Sequence, residues 1–128
     1  MKKAMGIAHA TLTVSDVGRT RRFYEQLFQV ELPMDNANSF SLLTVGIPCW
    51  FVQWKKQYQG DRFDERRIGL DHIAFKLETL DELTGIIDQL NKMGVPTAGL
   101  ERFNGKYPYV AFRDPDNIQM EFFIPREI

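Results

Sequence analysis

Cysteine and histidine are scarce in this chain: one of the first, Cys49, and two of the second, His9 and His72, among 128 residues. A lone thiol cannot close an intramolecular disulfide, so the expected setting is a reducing cytoplasm and the fold must rest on its core. Long apolar runs are missing as well, and no stretch approaches the roughly 20 residues that a membrane helix requires. The opening Met1-Lys2-Lys3 leads into Ile7-Ala8-His9-Ala10-Thr11-Leu12-Thr13-Val14, which alternates instead of forming a signal-type apolar segment. Nor does charge of one sign prevail. Sixteen basic residues against seventeen acidic ones leave a formal charge of -1. Nucleic acid and membrane are therefore not expected partners, and a small-molecule substrate is.

What is present fits a single domain over residues 1–128. A chain of this length buries about two-thirds of the surface its unfolded form exposes, enough for a real core.

Setting His9 over His72 is a shift of 72 - 9 = 63 residues, and the same shift lays Leu12 on Phe75, Val14 on Leu77, Phe23 on Ile86, Leu27 on Leu90 and Pro33 on Pro96. Chance matches between apolar residues are common, so the shared order of element types carries more weight than any pair. Each half opens with a short alternating strand, Ile7 to Val14 or Leu70 to Leu77. A helix-start signal follows, Ser15 or Asp16 in the first half and Thr79 or Asp81 in the second. The spacing predicts a first helix over Val17 to Phe28, with Phe23, Leu27 and Val30 on one face and Arg19, Arg21 and Arg22 on a solvated one. It predicts a second over Leu80 to Met93, with Leu83, Ile86, Ile87 and Leu90 together and Gly94 as a left-handed stop.

Strands are expected near Phe40 to Val45 and Cys49 to Trp54, and then near Leu100 to Phe103, Tyr109 to Phe112 and Ile118 to Ile124. Between the last two, Asp114-Pro115-Asp116-Asn117 is a turn with a mechanism: Pro115 pre-sets an angle, and Asp and Asn side chains bond the backbone. An antiparallel hairpin should result. The repeats thus cover about 5–55 and 68–126, joined by a polar connection over about 55–69 that is long enough to act as a lid.

A single strand histidine is more often structural than ligating. Glu121 tells more, because Ile118-Gln119-Met120-Glu121-Phe122-Phe123-Ile124 puts a carboxylate where a core-facing apolar residue is expected, and a buried carboxylate needs a partner. Taken together, two imidazoles and one carboxylate can hold one face of a divalent metal, Zn, Ni, Mn, Co or Fe(II), and leave other positions open for substrate. His9, His72 and Glu121 are the candidate ligands. Trp50, Trp54, Phe63, Tyr107 and Tyr109 are candidate lining residues, Tyr109 first because its strand neighbours that of Glu121. Arg62, Arg66 and Arg67 could meet an anionic substrate.

Three segments carry a likeness: Ile7 to Val14 followed by Phe23-Tyr24, then Gly69-Leu70-Asp71-His72-Ile73-Ala74-Phe75, then Phe112-Arg113-Asp114-Pro115-Asp116-Asn117-Ile118-Gln119-Met120-Glu121. Through them the chain resembles a single-module member of the vicinal oxygen chelate superfamily, which includes glyoxalase I, bleomycin-resistance proteins, fosfomycin-resistance enzymes and extradiol dioxygenases. The resemblance implies an α+β fold of two βαβββ modules, the glyoxalase/bleomycin resistance/dioxygenase fold, forming a cleft of mixed and antiparallel sheet. It implies one divalent metal on His9, His72 and Glu121, and a homodimer in which one subunit's His9 meets its partner's other ligands or a site within one chain. Relatives add a fourth ligand on the last strand of the first module. Matching Cys-Trp-Phe-Val onto Met-Glu-Phe-Phe puts Trp50 there, with Gln53 the nearby oxygen donor if the register slips.

The implied activity is that of a metal-dependent lyase or isomerase of glyoxalase type working at a carbonyl or enolate, with Glu121, once off the metal, or a metal-bound hydroxide as the catalytic base. Tyr109, Gln53 and Trp50 would bind substrate. An alternative is a non-catalytic protein sequestering an aromatic drug or metabolite. A further alternative is an Fe(II) extradiol-type dioxygenase, although such enzymes use an additional histidine and a tyrosine where this chain has Ala111.

Overall fold

In the computed structural model, which describes residues 2–42 and 46–128, one order of elements occurs twice. The first set is β1 (Ala10–Thr13), α1 (Val17–Phe28), β2 (Met34–Asn36), β3 (Ser39–Leu42) and β4 (Cys49–Val52). The second is β5 (Ile73–Lys76), α2 (Leu80–Lys92), β6 (Glu101–Phe103), β7 (Tyr107–Arg113) and β8 (Gln119–Phe123). Each makes a four-stranded mixed sheet, β1-β4-β3-β2 and β5-β8-β7-β6. In both, the first strand runs parallel to the last and the other pairs are antiparallel. This is the expected α+β architecture of two βαβββ modules.

Two compact units result: residues up to Glu25 with Gln29–Asp61, and Gln26–Phe28 with Arg62–Ile128. Among the described residues no helix is long and apolar enough to cross a membrane.

In the first unit, of the two cap candidates, Asp16 is the N-cap: its Oδ1 accepts from the Arg19 amide at 3.0 Å. Val17, Thr20, Tyr24 and Leu27 form the buried stripe of α1. The Tyr24 ring lies 5.0 Å from Phe51, which stacks on Phe40 at 4.8 Å. Two expectations for this helix need correction. Gln29 turns left-handed at φ 54°, so Val30 falls beyond the helix and is exposed instead of extending its apolar face. Arg21 is not part of a solvated face either. Its guanidinium donates to the Leu32 carbonyl at 3.2 Å and pairs with Glu25 at 3.5 Å, while Glu25 accepts from the Leu32 amide at 2.9 Å. The two charges fasten the chain as it leaves the helix.

The strand expected to Val45 is observed to Leu42, and Val45 lies outside the described residues. Strand β2 went unforeseen because Met-Asp-Asn carries two residues that favour turns.

In the second unit Thr79 is the cap. It accepts from the Glu82 amide at 3.1 Å, and Glu82 accepts in turn from the Thr79 amide at 3.3 Å, a reciprocal capping box. Leu83 and Leu90 are buried on α2, and Gly94 at φ 74° ends it. Val110, Phe112, Met120 and Phe122 form the buried face of the sheet, with the Phe28 ring 5.6 Å from Phe122.

The β7–β8 hairpin forms as expected. Asp114 Oδ1 accepts from the amides of Asp116 at 2.9 Å and Ile118 at 2.8 Å, and Asn117 takes φ 68°. The connection, expected to be a possible lid, is fastened to this turn over part of its length. The Phe63 amide donates to the Asp116 carbonyl at 3.1 Å, and the Asn117 amide group donates to the Phe63 carbonyl at 3.0 Å. Both terminal nitrogens of Arg113 reach the Glu65 carboxylate at 2.8 Å.

Candidate metal centre

Both histidines stand one residue before a strand, His9 before β1 and His72 before β5, rather than inside it as expected. The alternation nevertheless reaches them. Because β5 runs parallel to β8 with Ala74 opposite Glu121, a side chain two residues before Ala74 falls on the same face as Glu121. His72 Nε2 lies 3.6 Å from Glu121 Oε2, the two side chains being 37% and 13% exposed.

Glu121 does not face the core. Met120 and Phe122 on either side do, and Glu121 alternates onto the opposite face of β8. Nor is it an edge residue, since β8 lies between β5 and β7. A carboxylate on a central strand, largely covered and set against an imidazole, is a donor pair and not a solvated surface charge. On its other side His72 Nδ1 lies 2.7 Å from Asp71 Oδ1.

His9 belongs to the first unit. Its ring centroid is 4.6 Å from that of Trp50, with the planes tilted by 54°. Thus two of the three expected ligands, His72 and Glu121, come together, and His9 meets an indole. Among the described residues no group of three or more His, Cys, Asp or Glu side chains is placed to hold a metal.

The donor chemistry still fits a divalent ion. An imidazole nitrogen and a carboxylate oxygen 3.6 Å apart are donor types that a divalent ion takes, and they would fill only part of its coordination sphere.

The substrate-binding candidates fare differently. Trp50 is partly exposed on β4, beside His9. Gln53 Oε1 accepts from the Val17 amide at 2.8 Å, so the oxygen considered as a fourth ligand is engaged at the start of α1. Tyr109 pairs across the strands with Phe123, while its neighbour on that face, Ala111, is opposite Glu121. A hydrogen bond to the Glu101 carboxylate, with burial, raises the Tyr109 phenol above its ordinary value. In that bond the phenol O–H is the donor and Glu101 the acceptor. Along the same face Phe123 lies 6.1 Å from both Tyr107 and Tyr109 and 6.4 Å from Phe103.

Burial pushes the Cys49 thiol up to about 11, which makes it inert as a nucleophile. Of the basic candidates on the connection, Arg62 donates to Asn117 Oδ1 at 2.9 Å and Arg66 pairs with Asp64 at 2.7 Å. Sequence reasoning gave no part to Asp71. Its signal was there to be used, a carboxylate next to a candidate ligand histidine.

Residues 6–122 match the family described as Glyoxalase/Bleomycin resistance protein/Dioxygenase superfamily. The chain is 28% identical over 114 residues to the fosfomycin resistance protein FosX of Listeria innocua, a match covering 88% of this chain and 84% of that protein. It is similar in structure to a glyoxylase/bleomycin resistance protein/dioxygenase domain from Frankia sp., with a TM-score of 0.81, 26% identity, and coverage of 97% of this chain and 100% of that one. It also resembles lactoylglutathione lyase from Agrobacterium tumefaciens, with a TM-score of 0.73 and 96% of each chain covered; at 16% identity this likeness concerns the fold alone.

Proposed function

Because the chain belongs to the glyoxalase/bleomycin resistance protein/dioxygenase superfamily, we propose that it is a metal-dependent small-molecule enzyme, a lyase or isomerase of glyoxalase type, whose divalent ion is held by His72 and Glu121. The observation that carries this reading is the 3.6 Å approach of His72 Nε2 to Glu121 Oε2 on a central strand. His9 is the third donor, supplied by a second copy of this chain in a homodimer. Such an ion would supply Lewis acidity toward a substrate oxygen.

The chain's own residues do the rest. Glu121, released from the ion, would take the proton from the carbon next to that oxygen. Ala111, opposite Glu121, leaves room for the substrate over β8. Tyr109, its O–H held by Glu101, forms with Phe123 an apolar surface two residues along the sheet. Trp50 covers the His9 side.

Titrating metal-stripped protein with Zn(II) or Co(II) tests the reading. Saturable, stoichiometric uptake by the wild type that is lost in His72→Ala and in Glu121→Gln supports it, and no saturable uptake by the wild type overturns it. Fosfomycin, from the name of the Listeria innocua relative, is a first compound to follow for loss, by phosphorus NMR, with loaded protein.

A second reading, a protein that sequesters an aromatic molecule without turnover, draws on the row of Phe103, Phe123, Tyr107 and Tyr109. Binding of an aromatic ligand that is indifferent to chelator would favour it over the first.

A further inference from the structure

Two contacts of unequal length meet at the His72 ring. Nδ1 is 2.7 Å from Asp71 Oδ1, and Nε2 is 3.6 Å from Glu121 Oε2. The first is a hydrogen-bond distance and the second is too long to be one. An ionised carboxylate only accepts, and a neutral imidazole carries one N–H, so the proton belongs on Nδ1 and the bare lone pair on Nε2 faces Glu121.

We propose that Asp71 is a positioning residue that locks His72 in the Nδ1–H tautomer with Nε2 turned toward Glu121, and so makes Nε2 the ligating atom. The consequence for metal rests on the functional reading above, whereas the tautomer does not. In free histidine the proton prefers the other nitrogen, which would point an N–H at Glu121 and block ligation there. A carboxylate on the far nitrogen removes that obstacle and fixes the ring's rotation.

The two halves of the chain differ at this point. The 63-residue shift that lays His9 on His72 lays Ala8 on Asp71. His9 therefore has no carboxylate at the corresponding position, and an aromatic ring beside it instead. The second half holds a pre-oriented ligand and the first does not.

Long-range proton–nitrogen NMR of metal-stripped, nitrogen-15-labelled protein tests this at about pH 8.5, well above the ordinary histidine range near 6.5. The wild type should show His72 protonated on Nδ1. Asp71→Ala should return it to Nε2–H, while Asp71→Asn, whose amide oxygen still accepts, should keep Nδ1–H. In parallel, Asp71→Ala should weaken Zn(II) binding by about 10–100-fold, with partial rescue in Asp71→Asn. Asp71 is exposed, so neither variant endangers the fold. Nε2–H in the wild type, or an unchanged tautomer in Asp71→Ala, overturns the proposal. Should the wild type take up no metal, the enzyme reading falls, and the tautomer comparison still decides the role of Asp71.

Discussion

Trp50 stands in the first sheet where Glu121 stands in the second. Thr11 is opposite Trp50 across the parallel β1–β4 pair and Ala74 is opposite Glu121 across β5–β8. The 63-residue shift carries Thr11 onto Ala74. Each of the two also has a histidine beside it, at 4.6 Å between ring centroids for Trp50 and at 3.6 Å between nitrogen and oxygen for Glu121. One scaffold thus bears a ring contact on one side and a donor pair on the other. An indole has a single N–H and no lone pair to offer a cation.

The substitution Trp50→Glu should convert the first arrangement into a copy of the second. With His9 acting as a ligand, it adds a fourth donor, and Zn(II) affinity should rise about tenfold or more, equivalent to about 1.4 kcal/mol. Loss of the ring contact should cost about 1 kcal/mol of stability. Trp50→Ala should show the stability cost without the gain in affinity. Calorimetric titration and urea unfolding read the two effects separately.

The helices were legible because their signals are local. Asp16 and Thr79 cap within three residues of their partners, and Gly94 adopts the left-handed turn only a glycine takes easily. The repeat register was legible too, since Trp50 holds in its own sheet the register position that Glu121 holds in its sheet. What stayed hidden is set by contacts distant in sequence. Gln53 is 36 residues from Val17, whose amide it accepts, and Glu65 is 48 from Arg113. No spacing rule points across such gaps. Of the candidate ligands, the repeat and the resemblance had grouped His72 with Glu121, which lie 3.6 Å apart, whereas Glu121 was read as core-facing because Met120 and Phe122 make its strand look apolar throughout.

Gln53 makes the start of α1 depend on the far end of β4. Removing its oxygen in Gln53→Ala leaves the Val17 amide without its acceptor and should destabilise the protein by about 1 kcal/mol, the usual cost of a lost helix cap. Gln53→Glu should be tolerated, because a carboxylate next to a helix N-terminus is favourable. Equilibrium urea unfolding of the three proteins checks the order.

The Glu65–Arg113 bridge should leave a signature in acid. Two hydrogen bonds from the Arg113 guanidinium hold the Glu65 carboxyl at about 2, down from 4.5. A lowered folded-state value means that the contribution is present above the unfolded value and is lost as the pH falls toward the folded one. Wild type should therefore be more stable than Glu65→Gln at pH 7, and the difference should fade between about pH 4.5 and about pH 2. Added salt should shrink it at any pH, because the pair is open to solvent. Denaturant unfolding across that range shows whether the gap closes where it should.

The proposed sharing of a metal between two copies has a sharper consequence than dimerisation itself. In His9→Ala homodimers every site lacks one histidine, and in Glu121→Gln homodimers every site lacks the carboxylate, so both preparations should bind Zn(II) poorly. When the two are unfolded together and refolded in equal amounts, about half of the twofold dimers should pair one chain of each kind. In such a mixed dimer one site receives both defects. The other receives an intact His9 from the Glu121→Gln chain and an intact His72 and Glu121 from the His9→Ala chain. Tight binding should therefore return at about a quarter of the wild-type site number, one site in each of half the dimers. A site built within one chain would regain nothing on mixing, since every chain carries a defect of its own. Counting tight sites by Co(II) absorption before and after mixing separates the two arrangements, and equal counts would rule out a shared site.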